Sequence, residues 1–98
     1  MNDIQLKLND EGQEAFVIEE NGEQVAEMVI GLSGNNVVIY HTEVSEKLEG
    51  KGMAKELLMQ AVAYAREQHK KIIPLCPFVS VQFKKHPDEY ADVWEKKY

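Results

Sequence analysis

The first half of the chain alternates between apolar and polar positions with a period of about two, which is typical of half-buried β-strands. Ile4, Leu6 and Leu8 alternate with Gln5 and Lys7. The apolar run at residues 15–18, the apolar face at residues 24–32 and the β-branched segment at residues 37–44 predict three more strands. Four consecutive strands are therefore expected before residue 45.

Short polar segments with glycine separate these strands and favour hairpins. They are Asn9–Gly12, Asn21-Gly22 and Ser33–Asn36. Asn-Gly is the residue pair preferred by two-residue hairpin turns, because both positions need a positive φ. The four strands are thus predicted to form a mainly antiparallel sheet.

The hydrophobic period changes to about 3.6 after Gly52, which indicates a helix. Met53, Leu57, Ala61 and Ala65 recur on one face. The pattern predicts a helix of about five turns. Its basic end, Arg66–Lys71, suits a helix C-terminus, where unpaired carbonyl groups favour cations.

The last third of the chain predicts one more strand and short helices. Ile72–Cys76 is apolar and follows a helix, so it should lie parallel to the fourth strand. Pro77 is expected to open a short helix through Lys85, and a last helix should cover Asp88–Tyr98. The predicted fold is α/β (α+β): one domain over residues 1–98, with a mixed, mostly antiparallel sheet of about five strands, a main helix and short C-terminal helices.

Composition narrows the possible partners and the compartment. The formal net charge is −6, which argues against nucleic acid because phosphate binding needs clustered cations. The sequence has no apolar run long enough for a bilayer and no basic start with an apolar stretch, so we expect neither a membrane partner nor export. The single cysteine, Cys76, cannot form an internal disulfide, which favours a cytoplasmic location.

The segment Glu49-Gly50-Lys51-Gly52-Met53-Ala54 has the composition of a phosphate-binding loop. Its two glycines permit a sharp turn with exposed N–H groups, and the chain then enters a helix whose N-terminus attracts anions. Gly-x-Gly is also compatible with a simple turn before a helix. The neighbouring motifs must decide between these interpretations.

Three separated motifs resemble those of the GNAT superfamily of acyl-CoA-dependent N-acetyltransferases, and in particular its small single-domain members with a Cys-Pro pair after the fifth strand. The motifs are His41–Val44, Glu49–Ala54 followed by Leu57-Leu58, and Pro74–Val79 followed by His86-Pro87. The resemblance implies acetyl-CoA as the cofactor.

The same resemblance implies which residues hold coenzyme A. The pyrophosphate would be bound by the backbone N–H groups of Gly50, Lys51, Gly52, Met53 and Ala54, and the amide arm by the backbone of Val44 and Ser45. Two departures stand out. Glu49 lies where the superfamily usually has Gln or Arg, and Gln82 and Phe83 lie where its tyrosine acid is expected.

Three residues are candidates for catalysis, and no metal site is predicted. Strand alternation would place His41 and Glu43 on one face with Val37 and Ile39, where either could take a proton from an ammonium group. Cys76 is expected opposite them, at the end of the fifth strand. As a thiolate next to His41 it could accept the acetyl group; alternatively it lines the pocket or donates a proton.

The sequence thus predicts an acetyl-CoA-dependent N-acetyltransferase that acts on a small-molecule or protein amine of unknown identity. Acidic residues of the first hairpins could steer a cationic amine. The alternative is a catalytically weak acyl-CoA binding or sensing module, because the tyrosine acid is missing. A third interpretation is an interaction domain in which the glycines serve only the turn. A homodimer is left open.

Overall fold

A computed structural model describes residues 3–96 and shows one five-stranded sheet with the strands in chain order. The strands are β1 (Ile4–Leu8), β2 (Glu14–Glu20), β3 (Glu23–Ser33), β4 (Asn36–Val44) and β5 (Lys71–Pro74). The helices are α1 (Met53–Glu67), α2 (Pro77–Lys85) and α3 (Pro87–Tyr90), with a 3-10 turn at Glu46–Leu48. No helix within residues 3–96 combines the length and hydropathy needed to span a bilayer.

The sheet is mixed, as predicted. β1 to β4 are antiparallel neighbours, and β5 lies parallel to β4 after the α1 crossover. Asn21 and Gly22 both have positive φ angles, of 55° and 80°, in the turn between β2 and β3. These are the angles that a tight hairpin turn requires, so the predicted Asn-Gly hairpin is confirmed.

The helix α1 covers one face of the sheet, which we call the helix face. Its apolar stripe packs against alternate residues of the strands, including Phe16, Met28 and Ile39. The helix is 15 residues long, about four turns rather than the predicted five. It ends there because His69 takes a positive φ of 56° and redirects the chain into β5.

The opposite face of the sheet, which we call the second face, has a small buried cluster of its own: Ala15, Val17 and Val29. A bulge in β4 decides which residues lie on this face. His41 pairs with Val29, but Ile39 pairs with Ile30, so Tyr40 is an extra residue in β4. The prediction that His41 and Glu43 share a face with Val37 and Ile39 is therefore wrong.

The end of the chain also differs from the prediction. The helix α3 stops at Tyr90, and residues 93–95 lie along the free edge of β5. The Ile72 N–H donates to the Val93 carbonyl at 2.6 Å, and the Glu95 N–H donates to the Ile72 carbonyl at 2.9 Å. These bonds satisfy backbone groups that a sheet edge would otherwise leave unpaired. Residues 97–98 of the predicted helix lie outside the described residues.

One exposed ion pair joins the end of α1 to this terminal segment. The Arg66 Nε donates to Asp92 Oδ2 at 2.8 Å. This hydrogen bond raises the pKa of Arg66 and lowers the pKa of the Asp92 carboxyl. Both side chains are about half exposed, so the pair makes only a small contribution to stability.

Truncation of the α1 stripe should destabilise the fold. Leu57 is fully buried, so Leu57→Ala should lower the free energy of unfolding by about 2–5 kcal/mol through lost burial and a cavity. Met59 on the same helix is 58% exposed, so Met59→Ala is the matched control. It should change the free energy of unfolding by less than about 0.5 kcal/mol. Urea denaturation followed by circular dichroism measures both. Equal effects would contradict this packing.

Candidate active site

The loop before α1 has the backbone that the phosphate-binding prediction requires. Gly50 and Gly52 have φ angles of 83° and 81°, which residues with a Cβ rarely adopt. Gly52 is also the N-cap residue of α1. A Cβ added at either glycine would meet nothing within 4 Å, so the space above this turn is open.

Most N–H groups of this loop have no partner in the protein. The first α1 bond runs from the Glu56 N–H to the Gly52 carbonyl, at 3.0 Å. Within residues 3–96, the N–H groups of four predicted cofactor-binding residues donate to no other group of the chain; these are Gly50, Gly52, Met53 and Ala54. The Lys51 N–H is different, because it donates to the Leu48 carbonyl at 3.3 Å. A helix N-terminus with unpaired N–H groups attracts anions.

These unpaired groups border a cavity of about 390 Å³. It is lined by Thr42, Val44, Leu48, Glu49, Gly50, Gly52, Met53, Ala54, Lys55, Phe78 and Gln82. The cation in this wall is Lys55, from the first turn of α1. Neither Lys47 nor Lys51, the lysines on either side of Glu49, is among the lining residues.

The free edge of β4 forms one side of the cavity. Pairing between β4 and β5 ends at Ile39 and Pro74. The Ser45 N–H donates to the Val25 carbonyl at 2.8 Å, so the next pair, Ala26 and Val44, is a non-hydrogen-bonded pair. The N–H and carbonyl of Val44 therefore point away from β3, toward the side that β5 has left.

The resemblance implied that the backbone of Ser45 binds the amide arm of coenzyme A, but Ser45 is placed less favourably for this role than Val44. Its N–H is used by Val25, and its carbonyl accepts from the Leu48 N–H at 2.8 Å. Ser45 also does not line the 390 Å³ cavity. The backbone geometry thus supports Val44 as a partner for an amide, and it does not support Ser45.

Cys76 lies behind the cavity wall on the helix face. Its side chain is 3% exposed, and its Sγ is 3.5 Å from the Thr42 Oγ1. Thr42 pairs with the core residue Met28, whereas His41 pairs with Val29 on the second face. The prediction that Cys76 lies beside His41 and Glu43 is therefore wrong, because the bulge at Tyr40 sends them to the other face.

His41 and Glu43 meet a third side chain, Glu27 of β3, on the second face. One ligating atom of each residue lies within 4.8 Å of the other two. Sequence analysis did not place Glu27 among the catalytic candidates. Counting back from the Ser33–Asn36 turn without a bulge would pair Glu27 with Thr42, whereas the bulge pairs it with Glu43.

The helix α2 adds two cavity residues that sequence analysis did not assign to the site. Phe78 and Gln82 line the cavity, whereas Phe83 is fully buried in the core. The Gln82 amide can donate a hydrogen bond but carries no acidic proton. It therefore does not replace the expected tyrosine acid.

Comparison with known proteins identifies the family and supports the fold. Residues 15–93 match the family model described as GCN5-related N-acetyl-transferase. A GCN5-like protein of Staphylococcus aureus, solved by NMR, is 33% identical with a TM-score of 0.68, over 96% of this chain and 90% of that one. A search of curated proteins found no significant match.

Larger acetyltransferases share the fold. An IAA acetyltransferase from Bacillus cereus is 25% identical over 63% of this chain, with a TM-score of 0.54. A ribosomal-protein-alanine N-acetyltransferase from Brucella melitensis is 24% identical over 84% of this chain, with a TM-score of 0.58. This chain spans 43% and 65% of their lengths.

The family match covers most of the chain, and the structural match to the Staphylococcus aureus protein covers nearly all of it. The fold that they share is the mixed, mostly antiparallel sheet with helices. The chain therefore belongs to the family of GCN5-related N-acetyltransferases.

Proposed function

We propose that the protein transfers an acetyl group from acetyl-CoA to an amine. The observation that carries this proposal is the row of unpaired N–H groups at Gly50, Gly52, Met53 and Ala54, which border the 390 Å³ cavity beside the free edge of β4. Family membership implies acyl transfer from an acyl-CoA, and the acetyl group and the amine acceptor belong to the proposal.

The loop residues have the chemistry that coenzyme A requires. Several N–H groups and the N-terminus of α1 would bind its diphosphate, and Lys55 would add a positive charge. Glu49 in the same wall opposes this attraction. The outward backbone of Val44 would hold the amide arm along β4, as a neighbouring strand would.

When bound, acetyl-CoA supplies a thioester whose carbon–sulfur bond breaks as the bond from carbon to the neutral amine nitrogen forms; one proton of that amine goes to the coenzyme A sulfur and the other stays on the amide nitrogen. His41 and Glu43 would accept the proton that the ammonium group must lose first. They flank Thr42 of the cavity wall in β4, and their side chains lie on the second face of the sheet.

Cys76 lies on the helix face of the sheet, whereas His41 and Glu43 lie on the second face. Its buried thiol contacts the Thr42 hydroxyl and not the imidazole of His41. A base next to the thiol is what a covalent carrier requires. We therefore propose direct attack by the amine, with Cys76 packing behind Thr42.

Binding and turnover together test the proposed function. The purified protein should bind acetyl-CoA by isothermal titration calorimetry, and a panel of primary amines should release coenzyme A thiol above the uncatalysed rate, measured with a thiol reagent. Binding without release for every amine would favour the acyl-CoA sensing module. No binding at millimolar acetyl-CoA would contradict both functions.

Alanine at the N-cap of α1 should weaken coenzyme A binding. Gly52→Ala places a Cβ where φ is 81° and the loop opens on the cavity, so the dissociation constant should rise about tenfold or more. Gly12→Ala is the matched control, because Gly12 has a φ of 79°, equally open surroundings and no place in the cavity wall. Calorimetry should show unchanged binding for this control; equal losses in both variants would contradict the loop assignment.

Removal of the Cys76 thiol should leave the protein catalytically active. Cys76→Ala should keep turnover within about tenfold of the original protein, because the proposed direct transfer needs no covalent carrier. Val79→Ala, a truncation of another fully buried residue near the start of α2, controls for loosened packing. Steady-state thiol release measures both. Abolished turnover in Cys76→Ala alone, with acetyl-CoA binding intact, would establish the two-step route instead.

A further inference from the structure

The side chains in the wall of the 390 Å³ cavity carry no net charge. The charged side chains among the lining residues are Glu49, which directly precedes the glycine loop, and Lys55, in the first turn of α1. Phosphate groups in proteins are commonly bound with the help of arginine or lysine side chains. Here the single carboxylate cancels the single ammonium, so the net attraction for a diphosphate comes from the backbone N–H groups and the dipole of α1.

The fold makes little use of the Glu49 carboxylate. Glu49 is exposed, and it closes the preceding turn with its backbone, because its N–H donates to the Glu46 carbonyl at 3.4 Å. Both ion pairs found among residues 3–96 lie elsewhere, so no lysine or arginine in that range pairs with Glu49. An amide in place of this carboxylate would therefore remove a charge without breaking an ion pair that holds the loop.

A negative charge in this wall acts on a bound diphosphate. Charges that line one cavity are closer than the Debye length, which is about 10 Å at 0.1 M salt, so solvent ions screen their repulsion only in part. Acetyl-CoA and coenzyme A carry the same diphosphate. Glu49 therefore weakens the binding of both, and it leaves the barrier of the chemical step unchanged.

From this charge balance we infer that Glu49 sets the affinity for coenzyme A: its carboxylate cancels the attraction of Lys55 for the diphosphate and keeps the cofactor weakly bound. The inference rests on the proposed function and assigns a role to a residue outside the reacting atoms. Affinity differences between related complexes lie mainly in the dissociation rate. Glu49 therefore accelerates the release of product coenzyme A, a step that limits turnover in many enzymes.

Calorimetric titration with coenzyme A tests this role. In Glu49→Gln the dissociation constant should fall about three- to tenfold at about 50 mM NaCl, because a repulsion at short range is lost. The gain should shrink at about 500 mM NaCl, where salt screens the charge. A gain that persists undiminished at high salt would come from packing and would overturn the inference.

The matched control is Glu46→Gln. Glu46 begins the 3-10 turn that precedes Glu49, and it is not among the residues that line the cavity. This variant has the same change of net charge and should bind coenzyme A as the original protein does. Equal gains in Glu46→Gln and Glu49→Gln would show an effect of the overall charge and would overturn the inference.

A second ligand and a double variant locate the effect. Pantetheine has the thiol arm of coenzyme A without the diphosphate, so it should bind Glu49→Gln and the original protein equally. Tighter pantetheine binding in Glu49→Gln would overturn the inference. The double variant Glu49→Gln/Lys55→Gln restores a wall without net charge, so its dissociation constant for coenzyme A should return to within about twofold of the original value. A double variant that binds as tightly as Glu49→Gln would contradict the cancellation.

The dissociation rate completes the test and separates the two proposals. Stopped-flow displacement of coenzyme A should be slower in Glu49→Gln by the same factor as the fall in the dissociation constant. An unchanged rate would overturn the role in product release. No binding of millimolar coenzyme A by any variant would overturn the proposed function and this inference with it. Binding that is equal or weaker in Glu49→Gln than in the original protein would overturn only the role of Glu49.

Discussion

The separation of β4 from β5 is the constraint on which the site depends. Pro74 has no N–H to donate, and it is the last residue of β5 that pairs with β4. From Tyr40 onward β4 is bonded only to β3, so alternate backbone groups of β4 face a gap. The glycine loop and α1 begin shortly after this free edge ends. Strand edge and helix N-terminus therefore contribute polar backbone groups to one cavity.

Because of the bulge at Tyr40, the candidate site residues of β4 lie on both faces of the sheet. Thr42 and Val44 line the cavity on the helix face, whereas His41 and Glu43 join Glu27 on the second face. His41 and Glu43 are therefore absent from the wall of the cavity that Thr42 and Val44 line.

The cavity wall lacks the expected tyrosine acid, but it contains other hydrogen-bond donors. Gln82 and Thr42 are in the cavity wall, and each can donate a hydrogen bond to a sulfur that gains negative charge. Neither supplies an acidic proton as a tyrosine would. Hydrogen bonds without proton transfer stabilise a departing thiolate less than a tyrosine acid does, so this arrangement favours a slow enzyme.

Local patterns in the sequence determined the elements: alternation predicted β1 to β4, Asn21-Gly22 predicted a hairpin, and the spacing from Met53 predicted α1. These features depend on neighbouring residues, as do the glycine angles of the loop. Tertiary structure alone decided that Glu27 faces Glu43, that Cys76 contacts Thr42 and that Lys55 reaches the cavity. One extra residue in a strand reverses the face of every later side chain, and no local pattern marks where sheet packing inserts it.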